Sequence, residues 1–132
     1  MTSNHTLQGK SVMPSLTVND LKASEAFFTG LGFEVEDRWE HDGTLLGLMI
    51  KAGEARLGLS QDDGKKGMDR VKGVGVRIYI EAHGDIDAVA ARAKAAGVTL
   101  SRETHDTEWG SRAFEAIEPS GFLLTIASPA KS

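Results

Sequence analysis

The sequence predicts an α+β fold built from two tandem βαβββ modules, and three observations predict it. The first is a repeat. GVRIYIEAHGDIDAVAARAKAAGV, residues 75–98, runs strand, break, helix, glycine, and MPSLTVNDLKASEAFFTGLGF, residues 13–33, runs in the same order. Asp20-Leu21 returns as Asp85-Ile86, and Gly32-Phe33 as Gly97-Val98, each 65 positions later. The second is periodicity. Leu21, Ser24, Phe28 and Leu31 fall on one stripe, and Ile86, Val89, Ala93 and Ala96 on its counterpart. Apolar positions at i, i+3, i+7 and i+10 mark a helix with one buried face. The third is that each helix is followed by three short segments bounded by turn residues, the signature of strands. One such unit has too little core to be stable alone, so the two halves must pack together.

Taken in order, residues 11–18 alternate Val12, Pro14, Leu16 and Val18 against Met13, Ser15 and Thr17, a half-buried strand. Pro14 cannot donate to a ladder, which places this strand at an edge. Asn19 or Asp20 caps the first helix, and Gly30 and Gly32 end it. Residues 33–40 form a second strand, Asp42-Gly43 a hairpin turn, and residues 44–51 the returning strand. Gly53 turns the chain into a fourth strand over 55–60. The stretch 61–72 is polar and aperiodic and links the halves. In the second half, 75–81 is a strand with Val76, Ile78 and Ile80 on one face and Gly75, Arg77 and Tyr79 on the other. Ala82, His83 and Gly84 form a three-residue insertion relative to the first half. A helix from Asp85, strands over 98–103 and 110–118, a Pro119-Ser120-Gly121 turn and a strand over 122–128 complete the order.

Composition narrows the function. The chain has 132 residues, 40% hydrophobic and 26% charged, an ordinary globular balance. Its net charge of -4 argues against a nucleic-acid partner, which usually leaves a basic stripe. With no cysteine, disulfides, thiolate nucleophiles and cysteine-held metals are excluded. No apolar run is long enough to span a membrane. Residues 1–10 are polar, lack a signal-peptide core and read as a loose tail, so a cytoplasmic protein is expected. The expected domain occupies residues 11–129, with module one at 11–60 and module two at 73–129.

LTVNDLKASEAFFTGLGFEV, IDAVAARAKAAGV and WGSRAFEAIEPSGFLLTIASP together resemble the vicinal oxygen chelate superfamily, which includes glyoxalase I, bleomycin-resistance proteins and extradiol dioxygenases. The likeness runs from Ser11 to Pro129. It implies that the modules pair their strands into a curved mixed sheet around a cleft, and that the chain forms a homodimer. Metal-dependent relatives hold four ligands, usually His, Glu, His and Glu, on the first and last strand of each module. The matching positions here are Met13, Gly58, Gly75 and Thr125. None offers the carboxylate or imidazole that divalent metals need. The resemblance therefore leans toward the bleomycin-resistance-like branch, which binds drugs without metal or chemistry, and no cofactor is expected.

Other residues were weighed as sites. His5 falls in the tail, and His41 and His105 at hairpin tips, where exposed turn histidines are the simpler reading. His83 belongs to the insertion and is assigned to the surface. Gly73-Val74-Gly75 precedes a strand, whereas phosphate loops follow one, and Gly64-Lys65-Lys66-Gly67 reads as linker. Ser111, His105 and Asp106 make a triad by type but not by spacing. Trp39 and Trp109 are candidates for a cleft wall, with sheet packing as the alternative. Arg77 and Tyr79 lie on the face that ligands occupy in relatives. Arg77 there needs either an anionic ligand or an ion pair with the acids of residues 34–40.

The expected function is thus binding of a small, partly aromatic or apolar molecule in a metal-free cleft. Arg77, Tyr79, Trp109, Trp39, Met13 and Thr125 are the ligand-binding candidates. The alternatives are a lyase, isomerase or dioxygenase of the same superfamily with an atypical active site, and a regulatory module whose cleft takes a partner.

Overall fold

The computed structural model describes residues 6–67 and 70–130; His5 lies outside them. The elements are β1 (Ser15–Val18), α1 (Leu21–Leu31), β2 (Glu34–His41), β3 (Thr44–Ala52), β4 (Ala55–Gln61), β5 (Arg77–Glu81), α2 (Ile86–Ala95), β6 (Leu100–Asp106), β7 (Arg112–Ile117) and β8 (Leu123–Ala127). This is βαβββ twice. Each module forms a four-stranded mixed sheet, ordered β1-β4-β3-β2 and β5-β8-β7-β6. The first and last strands of a module run parallel and the remaining pairs antiparallel.

Local chemistry explains both helices. The Asp20 carboxylate accepts the amides of Lys22 and Ala23, and that of Asp85 accepts the amide of Ala88. These satisfy N–H groups that the first turn leaves without partners. At the other end Gly32 takes φ 111°, and the Phe33 amide reaches back to the Phe28 carbonyl at 3.0 Å. The Val98 amide does the same to Ala93 at 2.9 Å. Each helix thus ends in a backbone turn that tucks the next apolar residue, Phe33 or Val98, into the core. Asp42 and Gly43 have φ of 50° and 77°, the paired positive values of a tight hairpin turn.

Several boundaries differ from the sequence expectation. Gly30 lies inside α1 rather than at its end. A β-carbon there would lie 2.7 Å from the Val98 side chain, so Gly30 lets α1 approach module two closely. The strand expected from residue 11 begins at Ser15, and the one expected from residue 75 begins at Arg77. Residues 73–76 are instead a turn closed by the Val76 amide on the Gly73 carbonyl at 3.1 Å, and Val76 is exposed. The strand expected over 98–103 runs from Leu100 to Asp106, so His105 lies within it rather than at a hairpin tip. On α2 the buried positions are Ile86, Ala90 and Ala93, with Val89 half-buried and Ala96 exposed, because the helix stops at Ala95. The α1 stripe is buried as expected.

The helices cover one face of each sheet and meet each other. Leu16, Val18, Leu48, Ile50, Leu57 and Leu59 from the first sheet, and Phe114, Ala116, Leu124 and Ile126 from the second, join both helices in one core. Phe28 sits in its middle, edge-to-face with Phe27 at 5.2 Å and Phe33 at 5.3 Å. Polar bonds also fasten the modules. The Ser24 hydroxyl donates to the buried Glu118 carboxylate, and the Asn19 amide donates to the Ser120 hydroxyl at 2.8 Å. The linker is pinned where it leaves and rejoins the modules. The Lys72 ammonium meets the Asp62 carboxylate at 2.8 Å, both side chains buried. Lys72, the Gly64 amide and Arg70 together hold the Asp62 carboxyl far below the usual carboxylate range.

Candidate functional site

Because side chains alternate along a strand, the faces turned toward the helices leave an opposite, outer face on each sheet. Both outer faces look away from the shared core. On the second sheet β5 sends Ile78 and Ile80 inward, so Arg77 and Tyr79 point outward, as the alternation in the sequence implies. Tyr79 pairs with Thr125 in the β5–β8 ladder, and Thr125 with Glu115 in β7, so the three share that face. Trp109, in the turn before β7, donates its indole N–H to the Tyr79 hydroxyl at 3.2 Å. Both rings are about half exposed. Thr125, Tyr79, Trp109 and Arg77 therefore belong to one surface.

Two features of this surface are uncompensated. The Thr125 hydroxyl is buried and has no hydrogen-bond partner. Buried hydroxyls are normally satisfied, and an exception needs a reason. Arg77, meanwhile, finds no carboxylate within ion-pair distance among the described residues. Glu36 of β2, one of the acids considered for it, is taken by Arg56 at 3.0 Å and Lys51 at 3.8 Å. Arg56 lowers the Glu36 carboxyl pKa by its hydrogen bond and charge, and Lys51 adds its charge. Glu115 is met by Arg102 at 3.8 Å.

Trp39 and Met13 are elsewhere. Trp39 pairs with Gly47 across β2 and β3, and a β-carbon at Gly47 would lie 3.0 Å from the indole ring. The ring thus packs over a bare backbone on the outer face of the first sheet, yet remains 47% exposed. Met13 precedes β1 and is exposed. Within one chain these two do not join the Arg77–Thr125 group.

Of the four positions matched to metal ligands by the resemblance, Gly58 lies in β4 and Thr125 in β8. The parallel ladders set Ser15 beside Gly58 and Tyr79 beside Thr125. Met13 and Gly75 lie outside the strands. The thioether of Met13, the two glycines and the Thr125 hydroxyl do not fit a divalent cation, which requires carboxylates or imidazoles. Among the described residues, no three histidine, aspartate or glutamate side chains gather into a ligand group.

The remaining candidates are not assembled for chemistry. His105 Nδ1 contacts the Glu103 carbonyl at 2.9 Å, Asp106 pairs with Arg112 at 3.3 Å, and the Ser111 hydroxyl has no partner. Ser111, His105 and Asp106 therefore form no triad. His41, the last residue of β2, is exposed and lies 3.3 Å from Asp42, and His83 is exposed. No helix among the described residues is long and apolar enough to cross a membrane.

Comparison with known proteins gives a consistent picture. The model of the Glyoxalase/Bleomycin resistance protein/Dioxygenase superfamily matches residues 3–126. A comparison with curated protein sequences finds no match. Among solved structures, TioX from Micromonospora sp. ML1 is similar at TM-score 0.69 and 19% identity, covering 93% of this chain and 98% of its own. A bleomycin-binding protein complexed with bleomycin is similar at TM-score 0.63 and 17% identity, covering 92% of this chain and 99% of its own. Lactoylglutathione lyase from Agrobacterium tumefaciens follows at TM-score 0.61 and 21% identity, covering 92% of this chain and 96% of its own. At these identities the likeness establishes the fold.

Proposed function

The chain belongs to the Glyoxalase/Bleomycin resistance protein/Dioxygenase superfamily, and from that premise we propose that it binds a small, partly aromatic or apolar molecule without metal. The site is the outer face of the second sheet. Tyr79 and Trp109 stack on the ligand, Arg77 bonds an anionic or strongly polar group, and Thr125 is part of the neutral wall. The observation that carries this reading is Arg77, which has no carboxylate within ion-pair distance among the described residues, on the same outer face as the half-exposed Tyr79 and Trp109. The similarity to a bleomycin-binding protein supports small-molecule binding but names no ligand for this chain.

A second copy completes the cleft. β1 and β5 each form one edge of their sheets, with β2 and β6 at the opposite edges, and open edges are a hazard that proteins normally cover. A two-fold partner pairing its module one with module two would cover the β1 and β5 edges by a self-complementary contact. It would also bring Trp39 and Met13 of one copy toward Arg77, Tyr79 and Thr125 of the other.

Tryptophan fluorescence titration with a panel of aromatic drugs tests the site, since Trp109 lies in it. Arg77→Ala should weaken an anionic ligand by about 1.5–3 kcal/mol, the worth of a hydrogen bond to a charged group. If ligands bind and Arg77→Ala, Tyr79→Phe and Trp109→Ala all leave affinity unchanged, this face is not the site.

A further inference from the structure

Two recesses lie between the modules, and the internal repeat relates them. One, about 400 Å³, lies between Ala23, Ala26 and Phe27 of α1 and the end of α2, with Val98 and Ile117. The other, about 430 Å³, lies between Val89 and Arg92 of α2 and the end of α1, with Phe33, Ile80 and Ile126. The second is the more enclosed and the more apolar of the two. Neither is lined by Arg77, Tyr79, Trp109 or Thr125.

The asymmetry is written in the repeat. Sixty-five positions separate Phe27 from Arg92 and Phe28 from Ala93. Phe27 and Phe28 are both buried and pack their rings against each other. At the same two positions α2 places a methyl group and an exposed guanidinium. It brings two fewer aromatic rings to its junction, and the second recess lies on that side. The Ala82-His83-Gly84 insertion, which the first module lacks, puts Ala82 and His83 at its rim.

Arg92 marks the mouth. A β-carbon at Gly32 would lie 2.5 Å from one of its terminal nitrogens, so the guanidinium sits against the C-terminal end of α1. The helix dipole favours a cation there. Among the described residues no carboxylate lies within 4.0 Å of it. Glu54 and Glu81 also border the recess, but both are solvent-exposed. An apolar chamber of a few hundred cubic ångströms with a single placed cation is the usual form of a ligand pocket.

We propose that this recess is a second binding site, for a medium-length apolar carboxylic acid. Its hydrocarbon lies among Leu31, Phe33, Ile80, Val89 and Ile126, and its carboxylate bonds Arg92. A planar guanidinium takes a carboxylate through two parallel hydrogen bonds, which fixes the orientation of the chain.

Methyl NMR of the full chain with decanoate and 1-decanol as probes tests the assignment. Decanoate should shift the methyl signals of Leu31, Ile80, Val89 and Ile126 and leave the indole signals of Trp39 and Trp109 in place, which separates this site from the outer face. Decanol should bind more weakly. Arg92→Gln, an exposed and structurally mild change, should weaken decanoate by roughly tenfold or more, the loss of a charge-assisted bond, with decanol unaffected. Val89→Phe should fill the recess and abolish both. The proposal is overturned if decanoate leaves those methyl groups unmoved, if decanol binds as tightly as decanoate, or if Arg92→Gln binds decanoate as the wild type does.

Discussion

Removing the Ser24 hydroxyl should cost more than any exposed change of that size. Ser24 is fully buried on α1 and donates to Glu118 Oε2, and Glu118 is 1% exposed. The other carboxylate oxygen accepts the Ser120 amide at 2.6 Å. The Ser120 hydroxyl in turn accepts the Asn19 amide. Helix α1 of the first module is thus tied to the β7–β8 turn of the second through one buried acid. Ser24→Ala deletes a hydrogen bond to that acid, worth about 1.5–3 kcal/mol, and leaves one of its oxygens short of a partner. The void left by a hydroxyl adds little, so a loss of about 2–3 kcal/mol is expected. That is a sizeable part of the ~5–15 kcal/mol that stabilises a typical domain. With a urea slope near 2 kcal/mol per molar, the midpoint should fall by roughly 1–1.5 M at unchanged slope. A double-mutant cycle with Glu118→Gln isolates the pair, and a coupling of about 1 kcal/mol or more is expected. A Ser24→Ala loss under about 0.5 kcal/mol, or strictly additive single losses, would show that the contact does not fasten the modules and refute the reasoning.

Gly30→Ala should destabilise by about 1–3 kcal/mol, because the new β-carbon would press on Val98 at 2.7 Å and overpacking outweighs the better helix propensity of alanine; Val98→Ala should recover part of the loss in thermal melts. Asp62→Asn should lower stability at neutral pH, since Lys72 chiefly, with the Gly64 amide and Arg70, depresses the folded carboxyl pKa. A depressed pKa stabilises above the unfolded value and less as pH falls toward the folded one, so the gap between wild type and variant should begin to narrow below about pH 4 and keep shrinking as the pH is lowered further. A gap that does not shrink between pH 5 and pH 2.5 would contradict this. Native mass spectrometry after soaking with zinc, nickel, manganese and iron should show two chains and far less than one ion per chain; a monomer at micromolar concentration, or a stoichiometric ion, would count against the proposed cleft.

Some of this molecule was legible in its sequence because the determinants are local. Asp20, Gly32 and Asp85 act on backbone groups within a few residues of themselves, and Asp42-Gly43 needs only its own two dihedral angles. The 65-residue offset then supplied the second module once the first was recognised. The face of Arg77 and Tyr79 followed from strand alternation, which has a period of two wherever the strand lies. By itself, then, the sequence determined two βαβββ modules, the buried stripe of α1, the outward face of β5 and the absence of carboxylates or imidazoles at the matched ligand positions. The tertiary structure decided what depends on partners distant in the chain. Gly30 reads as a helix stop until Val98 is seen against it, and Met13 reads as a strand residue until the ladder places Ser15 beside Gly58. The separation of Trp39 from Tyr79 and the recess beside Arg92 arise from how the modules meet. Such contacts depend on which surfaces meet, and neither propensity nor periodicity encodes that in any one segment.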